Sequence, residues 1–291
     1  MARYLDPKND LTFKRIFGEH ADLLIGFLNA LMPLPAGRLI EEVEYLPFEQ
    51  VPDNPAKKDS IVDVKCRDSS GRIFIVEMQM FWSNLFRNRI VFNAGKAYVR
   101  QLDKNQSFNL LQPVYSLAIL NENFDHKTEQ FYHHYTIVNR ENTDETLEGL
   151  EFILIELPKF KFEKWSERKM AALWLRFLKE VGEKMTSLPA EFQENKLISK
   201  AAELCMEGAF TEQELAYYDK YWDWVRIEAG LKYDGLVEGL AQGRAEGRAE
   251  GRAEFQENVV INSHRAGLSI ETISTITDLT SEQVANILQG H

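Results

Sequence analysis

A chain of 291 residues that is 44% hydrophobic buries a substantial core, either as one large domain or as two smaller ones. Cys66 and Cys205 lie far apart with no CxxC partner, which excludes a disulfide framework and a cysteine-built zinc site and fits a reducing compartment. Charges interrupt every apolar run before membrane-spanning length, and Asp6 and Asp10 precede any apolar stretch, so the expectation is a cytoplasmic protein with no signal segment and no membrane partner.

The net charge of −11 is unevenly spread. Residues 1–125 hold 15 Lys and Arg against 16 Asp and Glu, so almost all the excess acid lies further on. Leu85–Lys104 is locally basic, with Arg87, Arg89, Lys96, Arg100 and Lys104 against Asp103 alone.

In chain order, Phe13, Ile16, Phe17, Leu23, Leu24, Phe27, Leu28 and Leu31 have helical spacing, broken near Gly18 and ended by Pro33. A strand-like run follows around Ile40, Val43 and Tyr45. The next segment reads as a hairpin, with a strand over Ser60–Arg67, a turn at Asp68-Ser69-Ser70-Gly71 and a strand over Arg72–Met80. The basic stretch Leu85–Lys104 lacks proline and predicts a helix, and Pro113–Leu120 predicts a strand. This order gives an α/β unit with a mixed sheet. YHHYTIV and LEFILIEL predict two more strands, and helices are expected over Ser166–Lys184, Glu191–Gly208 and Glu212–Gly230. Trp165, Trp174, Trp222 and Trp224 fall in the apolar pattern and are read as core.

Residues 235–254 are a tetrad repeat, GLVE, GLAQ and three copies of GRAE. Each glycine costs a helix about 1 kcal/mol relative to alanine, and like charges recur at i,i+4. The segment therefore reads as a spacer, with a helix packed closely on a partner as the alternative. The tail predicts three short helices, the first closed by Gly267, the second capped by Ser269, and the third opened by a capping box of Thr280 and Gln283. That order is similar to a helix-turn-helix, but the last helix, SEQVANILQ, has no Lys or Arg with which to engage DNA, so it reads as a packing or self-association module.

The chemistry points to the hairpin. Alternation puts Glu77 and Gln79 on one face of the second strand, and Asp63 and Lys65 on one face of the first. The rest of the strand pair is apolar, and an acid there is expensive to bury unless it is paired or binds a metal. Two carboxylates converging at a sheet end suit a hard divalent cation such as Mg²⁺. Spacing alone leaves a second reading open, in which Asp63 and Glu77 pair with Lys58, Lys65 or Arg72.

The chain resembles the PD-(D/E)XK nuclease superfamily, and within it the Rpn family of recombination-promoting, transposase-like nucleases. The matching pieces are DPKNDLTFKRIFG, KDSIVDVKCRD around Asp63, GRIFIVEMQ around Glu77, and NRIVFNAGKAYVRQL running into PVYSLAIL. ELPKF, the Gly-x-x-Glu repeats and the short helical tail extend the resemblance over nearly the whole chain. It implies a restriction-endonuclease-like α/β core, a mixed central sheet flanked by helices, followed by a helical C-terminal region. It also implies a self-associating, Mg²⁺-dependent (or Mn²⁺-dependent) endonuclease acting on double-stranded DNA, as a homodimer or higher homo-oligomer.

Carried over residue by residue, the resemblance makes Asp63, Glu77 and Gln79 the catalytic centre. Asp63, Glu77 and the Met78 carbonyl become the metal ligands. Gln79 stands where the superfamily usually has lysine; a neutral amide orients a water but supplies no positive charge, and Lys65, Lys58 or Lys96 is left to substitute. Asp10 and Lys14, one helical turn apart in the opening motif, take a supporting role, with a surface ion pair as the alternative. The basic helix is the expected DNA-facing element through Arg87, Arg89, Lys96 and Arg100, with Tyr98 and Gln101 close by. The expected organisation is a nuclease-like domain over 1–160, a helical region over 161–233, the repeat over 234–256 and a small helical tail over 257–291.

Overall fold

The computed structural model describes residues 3–35, 37–49, 61–162 and 169–290. The chain forms two compact units, Met1–Asp223 and Trp224–His291.

The first unit opens with α1 (Asp10–Phe17), whose N-cap Asn9 accepts from the Leu11 amide and whose last turn closes at Gly18. Helix α2 (Ala21–Leu31) ends ahead of Pro33, as the spacing predicts. Strands β1 (Val43–Tyr45), β2 (Val64–Asp68) and β3 (Ile73–Gln79) follow, then α3 (Asn84–Val99) and β4 (Val114–Leu120). Strands β5 (Tyr132–Val138) and β6 (Thr146–Glu156) complete a sheet of order β1-β2-β3-β4-β6-β5 among the described residues. Pairings β3–β4 and β4–β6 are parallel and the others antiparallel, which is the mixed α/β sheet expected.

Helix α3 makes the crossover between the parallel strands β3 and β4 and covers one face of the sheet. Ile73, Ile75 and Val114 pack there against Ala94 and Ala97, and Ala118, Leu120 and Leu154 against Phe86 and Ile90. Strand alternation puts Glu77 and Gln79 on this same α3-facing side. The remaining helices of the unit are α4 (Lys169–Glu180), α5 (Ala190–Glu194) and α6 (Lys196–Leu204). Trp174, fully buried on α4, meets Phe17, Phe27 and Phe177 at centroid distances of 5.5, 5.5 and 5.9 Å, which ties the N-terminal helices to α4.

Several expectations are corrected. The first strand of the hairpin begins at Val64, so Asp63 lies in a bend one residue ahead of it, while Ser60 lies outside the described residues. The run around Ile40 yields only the short β1. Helix α3 stops at Val99, with Arg100 as its C-cap and Lys104 beyond it. The helix expected over Glu191–Gly208 is split at Asn195, whose side chain accepts from the Leu197 and Ile198 amides and so starts α6 afresh. Trp174 is core and Trp222 packs on a cluster, but Trp224 is 53% exposed; Trp165 lies outside the described residues.

The largest correction concerns the repeat. It is helical throughout, within one helix, α7 (Glu212–Arg265), in which the division between the units falls. No proline interrupts it, and its Ala, Arg, Glu and Gln are strong helix formers that offset the glycines. In the second unit, α8 (Ile270–Thr277) and α9 (Ser281–Gln289) fold against the end of α7 around Val260, Ile273 and Val284. Ser269 caps α8 and the Thr280–Gln283 capping box opens α9, as predicted; the first of the three tail helices is the end of α7, closed by Gly267 at φ 86°.

Candidate active site

Two backbone segments carry the acids. The antiparallel register pairs Val64 with Val76, and one step further along it lies Asp63 across from Glu77. The bend at Asp63 is fastened to β3, because the Met78 amide donates to Asp63 Oδ2 at 2.7 Å. The Gln79 carbonyl accepts from Asn121, on the β4 side. By alternation the Met78 N–H and C=O both point the opposite way, toward Asp63.

Glu77 is 3% exposed and is held from α3. Asn93 Nδ2 donates to its Oε1 at 3.2 Å, and Arg89 Nη2 to its Oε2 at 3.1 Å. The same Nη2 donates to Gln79 Oε1 at 3.0 Å. The helix therefore offers two residues, one turn apart, to alternate residues of the strand. A further wall comes from α1, where Lys14 Nζ and Asp10 Oδ1 pair at 2.7 Å. The Tyr217 hydroxyl of α7 donates to Asp10 Oδ2 at 3.2 Å.

The electrostatics show how unfavourable the acid pair is as it stands. Burial pushes the Asp63 carboxyl up; the Met78 amide opposes this, but the charges of Glu77 and Asp10 add to it, leaving a pKa of about 7. Burial also raises Glu77, against the pull of Arg89 and Asn93. Burial pulls the Lys14 ammonium down, yet the hydrogen bond and charge of Asp10, with help from Asp63, leave it above its ordinary value. Burial lifts the Tyr221 phenol, which also feels Asp10 and Asp63.

The sequence-predicted residues sort clearly. Asp63, Glu77, Gln79, Arg89, Asp10 and Lys14 come together. Lys65 lies beside Arg100, Arg67 and Lys96, and its ammonium is lowered by burial first and then by those three charges. Arg87 turns away and lines a separate apolar groove of about 350 Å³ with Trp82, Val91, Phe124 and Tyr135. Tyr98 and Gln101 do not join the centre. The Tyr98 ring packs on the core and fills the space over Gly149. The Gln101 amide exchanges hydrogen bonds with the Gln112 backbone at 2.8 and 2.9 Å, fixing the loop ahead of β4. Lys58 lies outside the described residues.

Sequence reasoning missed Asn93 and Tyr217. Asn93 was detectable as a polar residue in the buried Ile90–Ala94–Ala97 spacing of α3. Tyr217 carries no local signal, being 207 residues from the aspartate it touches.

Among the described residues no three His, Cys, Asp or Glu side chains form a metal cluster by themselves. The oxygen donors here are mixed: two carboxylates, the Met78 carbonyl and the Gln79 amide. Such a set fits a hard divalent ion that keeps several waters, and the ion's charge would relieve the raised acid pair. A family model described as PD-(D/E)XK nuclease family transposase matches residues 7–226.

The chain belongs to that family. No curated protein and no solved structure matches it. The match agrees with the resemblance carried by the motifs around Asp63 and Glu77, and the mixed sheet with flanking helices is consistent with the PD-(D/E)XK fold. In this PD-(D/E)XK chain the position two beyond the strand acid is Gln79, and its amide is bound to an arginine from α3. No helix among the described residues is long and apolar enough to cross a membrane.

Proposed function

We propose that this PD-(D/E)XK family member is a divalent-metal-dependent endonuclease that hydrolyses phosphodiester bonds of double-stranded DNA, in the cytoplasm and in support of recombination. The observation that carries the reading is the pairing of two acids, Asp63 and Glu77, both raised and both fastened, beside a helix that brings Arg89 to Glu77. Asp63, Glu77 and the Met78 carbonyl would hold the ion, with Mg²⁺ the expected one and Mn²⁺ accepted. Its chemistry would be Lewis-acid charge stabilisation of the phosphate and activation of water near neutral pH.

The chain's own residues do the rest. Gln79 orients the attacking water through its amide. Lys65, Lys96 and Arg100 fix the duplex through its phosphates without reading sequence. Hydrolysis forms a bond from water oxygen to phosphorus and breaks one phosphorus–oxygen ester bond. One water proton leaves to solvent and the departing oxygen gains one.

The test is nicking or linearisation of a supercoiled plasmid with Mg²⁺, with Mn²⁺ and with a chelator. Wild type should cut only with metal, and Asp63→Asn and Glu77→Gln should lose at least about 100-fold in rate. Equal slow cutting by wild type and Asp63→Asn would refute the reading. Retained DNA binding in that case would select the alternative, a DNA-binding or assembly protein with the nuclease fold, which the neutral Gln79 favours.

Self-association as a homodimer or higher oligomer is supported by the exposed apolar side chains Ile227, Leu231, Leu236 and Leu240 on α7. Truncation after Tyr233 should lower the mass in solution to that of a monomer.

A further inference from the structure

Glu77 has two partners of opposite kind on α3. Asn93 is fully buried among packed neighbours and holds Oε1 through Nδ2, while its own Oδ1 has no hydrogen-bond partner. Arg89 holds Oε2 with a side chain that is 46% exposed, against 4% for Glu77, so its cationic end sits at the water boundary of the site. Its one Nη2 spans the carboxylate and the Gln79 amide oxygen at 3.1 and 3.0 Å, and its Cζ lies 4.9 Å from the Phe86 ring centroid.

A divalent ion on Glu77 and the guanidinium compete for the same oxygen atoms and repel each other. The permanent partner, Asn93, keeps the carboxylate oriented when the removable one leaves. Arg89 is the cation whose charge acts on Glu77, whereas the charges of Lys96 and Arg100 act on Lys65. Lys14 is already paired with Asp10 at 2.7 Å.

We propose that Arg89 is a movable cation that closes the metal-free site over Glu77 and Gln79, is expelled by the divalent ion, and then pairs with the substrate phosphate, supplying the positive charge that Gln79 cannot. This rests on the nuclease reading above. Arg89 transfers no proton, since a guanidinium stays charged; it acts by charge and by a forked hydrogen bond to phosphate oxygens.

The experiment is titration of the full chain with Mn²⁺ by calorimetry, paired with plasmid cleavage, for wild type, Arg89→Ala, Arg89→Lys and Glu77→Gln. Removing the competing cation should tighten Mn²⁺ binding by roughly tenfold in Arg89→Ala while cleavage falls by roughly 100-fold. Arg89→Lys should recover part of the cleavage, and Glu77→Gln should bind no Mn²⁺. Wild-type or weaker Mn²⁺ affinity in Arg89→Ala overturns the closing role, and wild-type cleavage overturns the phosphate role. Failure of the nuclease reading looks different, because wild type itself then neither binds Mn²⁺ nor cuts, and both ideas fall together.

Discussion

The Met78 amide donates to Asp63 Oδ2 at 2.7 Å, so the bend that carries one acid is tied to the strand that carries the other. The donor is the backbone amide of position 78, so any residue there except proline would make the tie. The separation of the two acids is therefore set by the sheet, whereas their protonation is set by burial and by each other.

A pH dependence follows. Asp63 has its pKa raised from 3.8 to about 7 in the folded chain. The folded state then binds the proton more tightly than the unfolded state does. The stability this group contributes is complete below pH 3.8 and is lost as pH rises through about 7. In metal-free protein Asp63→Asn should raise the melting temperature at pH 8 and change it little at pH 4. A variant less stable than wild type at pH 8 would contradict the environment described for Asp63.

The turn between β2 and β3 rests on a buried ion pair. Asp68 and Arg72 are 6% and 7% exposed. Asp68 accepts from the amides of Ser70 and Arg72, and from the Arg72 guanidinium at 2.6 and 2.8 Å. Asp68→Ala strands the guanidinium and should cost about 3–5 kcal/mol in denaturant unfolding.

Gly71 in the same turn has φ 88°, and a Cβ there would sit 3.0 Å from Gln112 Cγ. Gly71→Ala should cost about 1–2 kcal/mol, read as a lower denaturation midpoint with unchanged slope.

The cations along β2 and α3 give a prediction in salt. Lys96→Gln and Arg100→Gln should each weaken DNA binding similarly for unrelated sequences, and each should reduce the salt slope of log affinity by about one. Arg87→Gln, whose side chain lines the separate apolar groove, should leave the slope near wild type.

The repeat can be tested as a helix. A Cβ at Gly243, Gly247 or Gly251 would meet nothing within 4 Å. Alanine at these positions should add up to about 1 kcal/mol each to the stability of that segment, read as a higher melting temperature of the helical circular dichroism signal. An unchanged or lower melting temperature would return the segment to the spacer reading.

Much of the sheet was legible because strand alternation and turn chemistry are local. The Asp68–Gly71 turn, β3, β4 and the N-cap signals at Ser269 and Thr280 could all be read from neighbouring residues. That Asp63, Glu77 and Gln79 come together could be read from that alternation together with the resemblance, although the strand begins one residue after Asp63. What was not legible depends on distant partners. Nothing near Gln101 signals that its amide belongs to Gln112 rather than to DNA, and nothing near Arg87 signals the aromatic groove. The repeat was misjudged because summing glycine penalties ignores the flanking sequence, which carries the helix in from both ends.

The hydrogen bond from Tyr217 to Asp10 joins residues at opposite ends of the first unit. Asn9 is drawn into the same contact, donating to the Tyr218 carbonyl at 3.3 Å. During synthesis Asp10, Lys14, Asp63 and Glu77 all leave the ribosome well before Tyr217 is made. A nascent chain can thus build its sheet and gather its acids, but it lacks the α7 wall until Tyr217 has emerged. Completion of the centre is timed by chain length, so a fragment that ends before Tyr217 does not carry the Tyr217–Asp10 contact.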